Sequence, residues 1–245
     1  MSYAGRLDLS GRTLLVTGAA TGIGFACARA GAARGARVVG VDLDAEGLAA
    51  AGLAEAHVCD VTSLAAVRAL EAAVGPVDLL VNAAGNVSSS PFLELSREEW
   101  DSVLASHVKS VWSVCRIFVP GMAERRYGRV VNIGSVAGER GGGILGRTAY
   151  AGAKAAVNGL TKSIARECAQ YGVRANAVNP GVTDTRRIDP LRADPELWAR
   201  VLALIPLGRV ASADEVAAAV VFLLSDASSY ITGETMNVDG GIALE

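Results

Sequence analysis

Short apolar runs alternate along this chain with longer stretches whose apolar residues recur at helical spacing. The run Thr13–Thr17 reads as a buried strand, followed by a helix from about Ile23 to Arg34. Arg37–Asp42 reads as a second strand with a short helix to Ala51, and His57–Asp60 ends a third strand before a helix over Ser63–Val74. Val77–Asn82 is the fourth strand, Arg97–Ala123 one long helix, and Arg129–Ile133 the fifth strand. Thr148–Tyr171 is the next helix, then a strand over Arg174–Asn179, a polar irregular segment, a helix over Asp214–Leu224 and a last strand at Met236–Asp239. Strands alternating with helices imply parallel pairing through right-handed crossovers, and near-continuous apolar strands imply a sheet covered on both faces. The expected fold is therefore α/β, a Rossmann-type doubly wound sheet of seven mainly parallel strands, with residues 1–245 as a single domain.

Composition narrows the classes. Of 245 residues, 51 % are hydrophobic and 20 % charged, and the net charge is −2 with both signs mixed throughout. No basic patch suggests nucleic-acid binding. No apolar run reaches the roughly 20 residues a membrane span needs, and Met1–Arg12 lacks a signal-peptide pattern. Cys27, Cys59, Cys115 and Cys168 are scattered and only His57 and His107 accompany them, so no metal site is expected and the thiols suit a cytoplasmic protein. His57, on a strand approach, reads as structural.

Ligands of doubly wound sheets bind beyond the carboxyl ends of the strands, which selects the residues that follow each strand. Gly18, Thr21, Gly22, Ile23 and Gly24 link the first strand to the first helix. Glycines there permit a tight turn and let a diphosphate approach backbone N–H groups at a helix N-terminus. Asp42 closes the second strand, where a carboxylate accepts from a ribose diol and repels a 2′-phosphate, favouring NAD over NADP. Neither Thr21 nor Leu43 supplies a cation to offset that repulsion. Tyr150 and Lys154 stand four apart in an Ala-rich helix, hence on one face. An ammonium beside a phenol favours the phenolate and suits the pair to proton transfer.

Together the glycine loop and the Tyr150/Lys154 pair resemble the short-chain dehydrogenase/reductase family over nearly the whole chain. Asp60-Val61 looks like that family's adenine contact, and Asn82-Ala83-Ala84-Gly85 like its motif that steadies the sheet and lines the cofactor cleft. Val131–Ser135 resembles the strand that delivers a catalytic serine. The segment holding Pro180, Gly181, Thr183 and Thr185 resembles the one that holds the nicotinamide carboxamide, and Asp239-Gly240-Gly241 matches the C-terminal turn. The resemblance implies NAD as cofactor, Tyr150 as acid and base, and Ser135 as the group that hydrogen-bonds the substrate oxygen. It implies that Lys154 lowers the Tyr150 pKa and binds the nicotinamide ribose, and that the chain forms a homotetramer. The apolar faces of Val103–Val119 and Ala155–Ala169 suit one helix-pairing interface, and Val216–Leu224 with the last strand a second.

Two features depart from the family. Fifteen residues separate Ser135 from Tyr150, slightly more than is common, and the excess sits in Gly141-Gly142-Gly143, read as a flexible bulge. His107 stands where the family places an asparagine whose carbonyl supports a water relay; with a pKa near neutrality it would pass protons itself, or else it only fills space and bonds a neighbouring backbone group. The region Thr183–Val210 takes the place of the family's substrate lid. There Arg186, Arg187 and Arg192 face either an anionic substrate or the nearby Asp184, Asp189 and Asp194, and the salt-bridged loop is the simpler reading; Glu139, Arg140 and Arg147 add polarity at the flank. The expected function is NAD(H)-dependent interconversion of a secondary alcohol and a ketone on a small polar substrate such as a sugar, polyol or hydroxy acid. A 3-oxoacyl-thioester reductase, a cyclic or steroid alcohol substrate, and a non-catalytic NAD-binding regulatory protein remain open.

Overall fold

A computed structural model describes residues 3–143 and 146–244; the termini of the 1–245 domain reading lie outside the described residues. A short N-terminal turn α1 (Tyr3–Arg6) leads to β1 (Thr13–Thr17), α2 (Gly22–Ala33), β2 (Arg37–Asp42), α3 (Ala45–Ala51) and β3 (Ala56–Val58). The chain continues through α4 (Leu64–Val74), β4 (Leu79–Asn82), α5 (Arg97–Leu104), a π-turn (Ala105–Lys109) and α6 (Ser110–Glu124). Then come β5 (Gly128–Ile133), α7 (Ala137–Arg140), α8 (Thr148–Cys168) and β6 (Val173–Pro180). Two residue pairs, β7 (Thr183–Asp184) and β8 (Ala211–Ser212), bracket α9 (Asp189–Arg192) and α10 (Pro195–Ala203) before α11 (Ala213–Leu224) and β9 (Thr235–Val238).

The main sheet has seven strands in the order β3-β2-β1-β4-β5-β6-β9, and every ladder between them is parallel. The order reverses between β1 and β4, so the loops after those two strands diverge and leave a crevice. Side-chain alternation explains why the strands read as unbroken apolar runs. Leu15, Leu80 and Val130 face α4, α6 and α8, while Leu14, Val16, Leu79, Val81 and Val131 face α2 and α11. Each face thus buries alternate residues of the same strand.

Helix starts follow local chemistry. Asp44, Ser63, Ser96 and Asp194 accept from first-turn N–H groups of α3, α4, α5 and α10, and Ser212 forms a reciprocal capping box with Glu215 at α11. Thr21, ahead of α2, caps nothing with its side chain. The expected single helix over Arg97–Ala123 is interrupted by the π-turn, whose extra residue per turn brings His107 inward. The Ser110 hydroxyl donates back to the Ser106 carbonyl at 2.6 Å and helps satisfy the widened turn.

Beyond β6, β7 pairs with β8, and between them Ile188, Leu191, Val201 and Ile205 form a small core of their own. The helices of this excursion therefore pack on one another as a unit.

Candidate active site

The strand-end residues line one cleft of about 1120 Å³. At one end stands the glycine loop. Gly18 (φ +70°) lies so close to β4 that a Cβ there would meet the Ala84 nitrogen at 2.8 Å, and a Cβ at Gly24 would meet the Gly18 carbonyl oxygen at 2.0 Å. Thr17 Oγ1 accepts from the N–H groups of Ala83 and Ala84 at 3.2 and 3.3 Å, which holds the loop of β1 against that of β4. The first-turn N–H groups of α2 at Gly22, Ile23 and Gly24 lack a side-chain cap and face the cleft, a cradle that fits a diphosphate. Asp42, Leu43, Asp60 and Val61 line the cleft beyond β2 and β3. Asp42 is held rigidly: its carboxylate accepts from the N–H groups of Ala20, Leu43 and Asp44 at 3.1, 2.8 and 3.1 Å. Spare lone pairs remain for hydroxyl donors, and the loops after β1, β2 and β3 contribute no cation to the lining among the described residues. These residues fit a dinucleotide.

At the other end, beyond β4 to β6, lie Ala83, Ala84, Gly85, Ser135, Tyr150, Lys154, Pro180, Gly181, Thr183 and Thr185. Ser135 is fixed by its backbone N–H, which donates to Asn179 Oδ1 at 2.9 Å, and its hydroxyl accepts from the Ala137 N–H at 3.1 Å. Asn179 is itself held by Glu139, whose second carboxylate oxygen takes Asn237 of β9. Tyr150 and Lys154 sit one turn apart near the start of α8, and Gly146 is required ahead of them because a Cβ there would meet the Tyr150 ring at 2.3 Å. The Lys154 ammonium, 4 % exposed, donates to the Ile133 carbonyl at 2.6 Å, and burial pulls its pKa down to about 7.

Burial raises the Tyr150 pKa, against the lowering effects of the Arg187 charge and of hydrogen bonds with Ser135 and Arg187. The expectation that Lys154 draws the phenol down is not met here. Its nitrogen is 5.6 Å from the ring centroid and committed to Ile133, and the cation acting on the phenol is Arg187.

His107 is 2 % exposed and stands edge-on to Tyr150 with ring centroids 5.3 Å apart. Its Nε2 lies 2.6 Å from the Asn86 carbonyl oxygen, an acceptor, so Nε2 carries the hydrogen and the partnerless Nδ1 is the buried lone pair. Burial and the nearby Lys154 charge push its pKa down to about 2. The near-neutral pKa expected of His107 is therefore corrected: the ring stays uncharged at neutral pH. The glycine at 85 is tied to this ring, since a Cβ there would meet the imidazole at 2.0 Å.

Two further expectations change. Asn82 does not line the cleft; it is buried within the sheet, where its amide donates to Asn132 Oδ1 at 2.8 Å, and Asn132 donates to Thr161 Oγ1 of α8 at 2.8 Å. The three lid arginines part company. Arg192 pairs with Asp184 at 2.8 Å, as a salt-bridged loop requires, whereas Arg187 reaches across the cleft and donates to the Gly85 carbonyl at 2.9 Å. Arg186 and Arg140 also line the cleft. Gly141 and Gly142 take positive φ, and Gly143 N–H donates to the Gly146 carbonyl at 2.7 Å, while part of the expected bulge lies outside the described residues. His57 is half-buried beside Glu55, away from the cleft.

Sequence reasoning missed the placement of Arg187 and the roles of Asn179 and Asn86. Asn179 had a signal, since it ends a strand directly before Pro180-Gly181. Asn86 acts through its carbonyl, which no side-chain pattern reveals.

A family model described as enoyl-(acyl carrier protein) reductase matches residues 18–243. The 3-oxoacyl-[acyl-carrier-protein] reductase FabG of Escherichia coli (strain K12) is 38 % identical over 245 residues, covering 96 % of this chain and 99 % of its own. The 2-keto-3-deoxy-L-fuconate dehydrogenase of Xanthomonas campestris is 39 % identical over 242 residues, covering 95 % of this chain and 80 % of its own. A crystal structure of a gluconate 5-dehydrogenase from Burkholderia cenocepacia J2315, in complex with NADP and tartrate, superposes with a TM-score of 0.92 at 33 % identity over the full length of both chains.

Proposed function

The chain belongs to the short-chain dehydrogenase/reductase family, an oxidoreductase of CH–OH and keto groups, and on that premise we propose that it uses NAD(H) on a small polar secondary alcohol or its ketone. One observation carries the reading: Ser135, Tyr150 and Lys154 converge on the same cleft as an intact glycine loop. Gly18, Gly22 and Gly24 with the N-terminus of α2 would hold the diphosphate, Asp42 the adenosine ribose, and Asp60-Val61 the adenine. Thr183 and Thr185 would hold the nicotinamide end, with Lys154 on its ribose. The bound dinucleotide would supply or accept the hydride.

The chain's own residues handle the oxygen. Ser135 orients it and stabilises its developing charge, and Tyr150 Oη moves the proton. Because burial keeps Tyr150 protonated at neutral pH, the phenol is a ready donor for ketone reduction. Alcohol oxidation needs the deprotonated phenol, so that direction should accelerate as pH rises. The neutral His107 fills the wall behind Tyr150 and holds its orientation. The segment 183–210 would act as the substrate lid of one 245-residue domain.

Preference for NAD over NADP rests on Asp42 and on the lack of a cation among the described lining residues from the loops after β1, β2 and β3. The relative with NADP bound makes this the point to test. Identity to the 3-oxoacyl reductase supports a thioester substrate as the second reading; the cations at the catalytic end favour the small polar one. Resemblance to the family further supports a cytoplasmic homotetramer.

A screen of alcohols and ketones with NADH and NADPH, read by absorbance of the reduced nicotinamide, tests all of this. Tyr150→Phe should lower turnover by at least about 100-fold while leaving NADH affinity near the wild-type value. Retained turnover would reject the proton-transfer role, strong preference for NADPH would reject the role of Asp42, and no turnover on any substrate would favour a non-catalytic nucleotide-binding protein.

A further inference from the structure

Arg187 is the lid residue that enters the catalytic end of the cleft. It sits in the middle of the 3-10 turn Arg186–Ile188 that follows Thr185, and the next residue, Ile188, is 3 % exposed in the core of the excursion, which anchors the backbone at this point. From there its guanidinium spans to the Gly85 carbonyl, 102 positions away in sequence, and lies near enough to the Tyr150 phenol for its charge to favour the phenolate. Neither group is a carboxylate. Its neighbour in the same segment, Arg192, is by contrast paired with Asp184. Arg187 has no such partner among the described residues.

The cleft as a whole divides by charge. Its carboxylates, Asp42 and Asp60, stand at the end beyond β2 and β3. Its cations, Arg140, Lys154, Arg186 and Arg187, come from α8 and the segments that follow β5 and β6, with no carboxylate from those segments among the described lining residues. Arg186 follows Thr185, which packs against Gly22 of the glycine loop. A cationic pocket walled by protein strongly attracts one anion. The glycine loop already provides for the diphosphate and Lys154 for the nicotinamide ribose, so Arg187, which reaches the Gly85 carbonyl, is left for the substrate. A guanidinium is planar, offers paired N–H donors and matches a carboxylate in a two-point bond. Its nearness to the phenol that must meet the reacting oxygen sets the anion's place: next to the carbinol carbon.

We propose that Arg187 binds a carboxylate which the substrate carries one or two carbons from its reacting carbon, so that the enzyme acts on hydroxy acids and their keto acids. This deepens the alcohol–ketone reading and rests on it. Binding such a substrate would exchange the Gly85 carbonyl for the carboxylate as the partner of Arg187, beside the phenol.

The test compares 2-hydroxybutyrate, 3-hydroxybutyrate and gluconate, each with its uncharged primary amide, in wild type, Arg187→Gln and Arg187→Lys. The amide keeps shape and loses charge. Wild type should prefer acid over amide in kcat/KM by about 100-fold for at least one pair, the worth of a charge-assisted hydrogen bond. Arg187→Gln should cut that ratio to about fivefold or less, and Arg187→Lys should restore part of it, since it keeps charge but not the fork. Removing the cation also raises the phenol pKa and moves the alkaline limb of oxidation upward, but equally for acid and amide, so the ratio isolates carboxylate recognition. Malonate, an unreactive dicarboxylate, supplies a readout free of turnover: it should raise the Tm of the NADH-loaded wild type and not of Arg187→Gln, with NADH binding by fluorescence showing both variants folded. Equal use of acid and amide by wild type, or an unchanged ratio in Arg187→Gln, would overturn the proposal while leaving the alcohol–ketone reading intact. Turnover on none of the panel or on any neutral alcohol, with the malonate shift retained, would instead remove that reading and leave Arg187 as a carboxylate site.

Discussion

At position 107 the side chain is neutral by construction. The Asn86 carbonyl fixes the hydrogen on Nε2, and the surrounding wall excludes a second proton. Acid stability follows from the sign of that shift. The folded ring has a pKa of about 2 and the unfolded one about 6.5, so below pH 6.5 the unfolded chain binds a proton that the folded chain refuses. Stability is therefore full above pH 6.5 and falls as the solution is acidified. His107→Asn should flatten this acid loss: its urea midpoint relative to wild type should improve between pH 7.5 and pH 5. The same variant should keep kcat within about tenfold, ~1.4 kcal/mol of barrier, because a ring held neutral with its one N–H bonded to the Asn86 carbonyl does not pick up and pass on a proton; a thousandfold loss would show that the imidazole participates. The glycine at 85 had a visible motif, yet its reason is the imidazole packed on it, and that contact lies outside any local pattern.

Between elements, the buried chain from Asn82 through Asn132 to Thr161 ties β4, β5 and α8 together. Thr161 is fully buried, and its hydroxyl accepts from Asn132 and donates to the Val157 carbonyl at 2.7 Å. Thr161→Val keeps the shape and strands the Asn132 amide, which should cost about 1–3 kcal/mol. Urea unfolding should show a lowered midpoint with an unchanged slope, and an unchanged midpoint would discount the network. Strands and most helices were legible in sequence because parallel strands buried on both faces leave unbroken apolar runs and Ser or Asp caps mark helix starts. The π-turn was not, since the apolar spacing of Arg97–Ala123 is almost the same with or without one extra residue in a turn. Arg187 was seen as a charge near the site, but its choice between an aspartate and the cleft depends on the 3-10 turn that aims it, a matter of backbone direction rather than composition.

For the whole molecule, both faces of the sheet are covered by the chain's own helices, yet large apolar side chains remain outside. Trp112 on α6 is 46 % exposed, and Ala155, Ala156 and Gly159 present a flat surface on α8. A closed symmetric assembly would cover them. The homotetramer proposed from the family resemblance predicts a mass of roughly 100 kDa, four copies of the chain, in sedimentation equilibrium; a mass near 25.1 kDa would reject it. The two-residue ladder between β7 and β8 has a separate consequence. It joins the ends of the 26-residue excursion 185–210 beside the sheet, independently of anything in the cleft. The loop-closure entropy, about 3 kcal/mol for that length, is thus lost once, when the chain folds. If the segment closes over the cleft as proposed, each turnover would rearrange an already looped flap with its own interior, instead of gathering a free strand of chain around every arriving molecule.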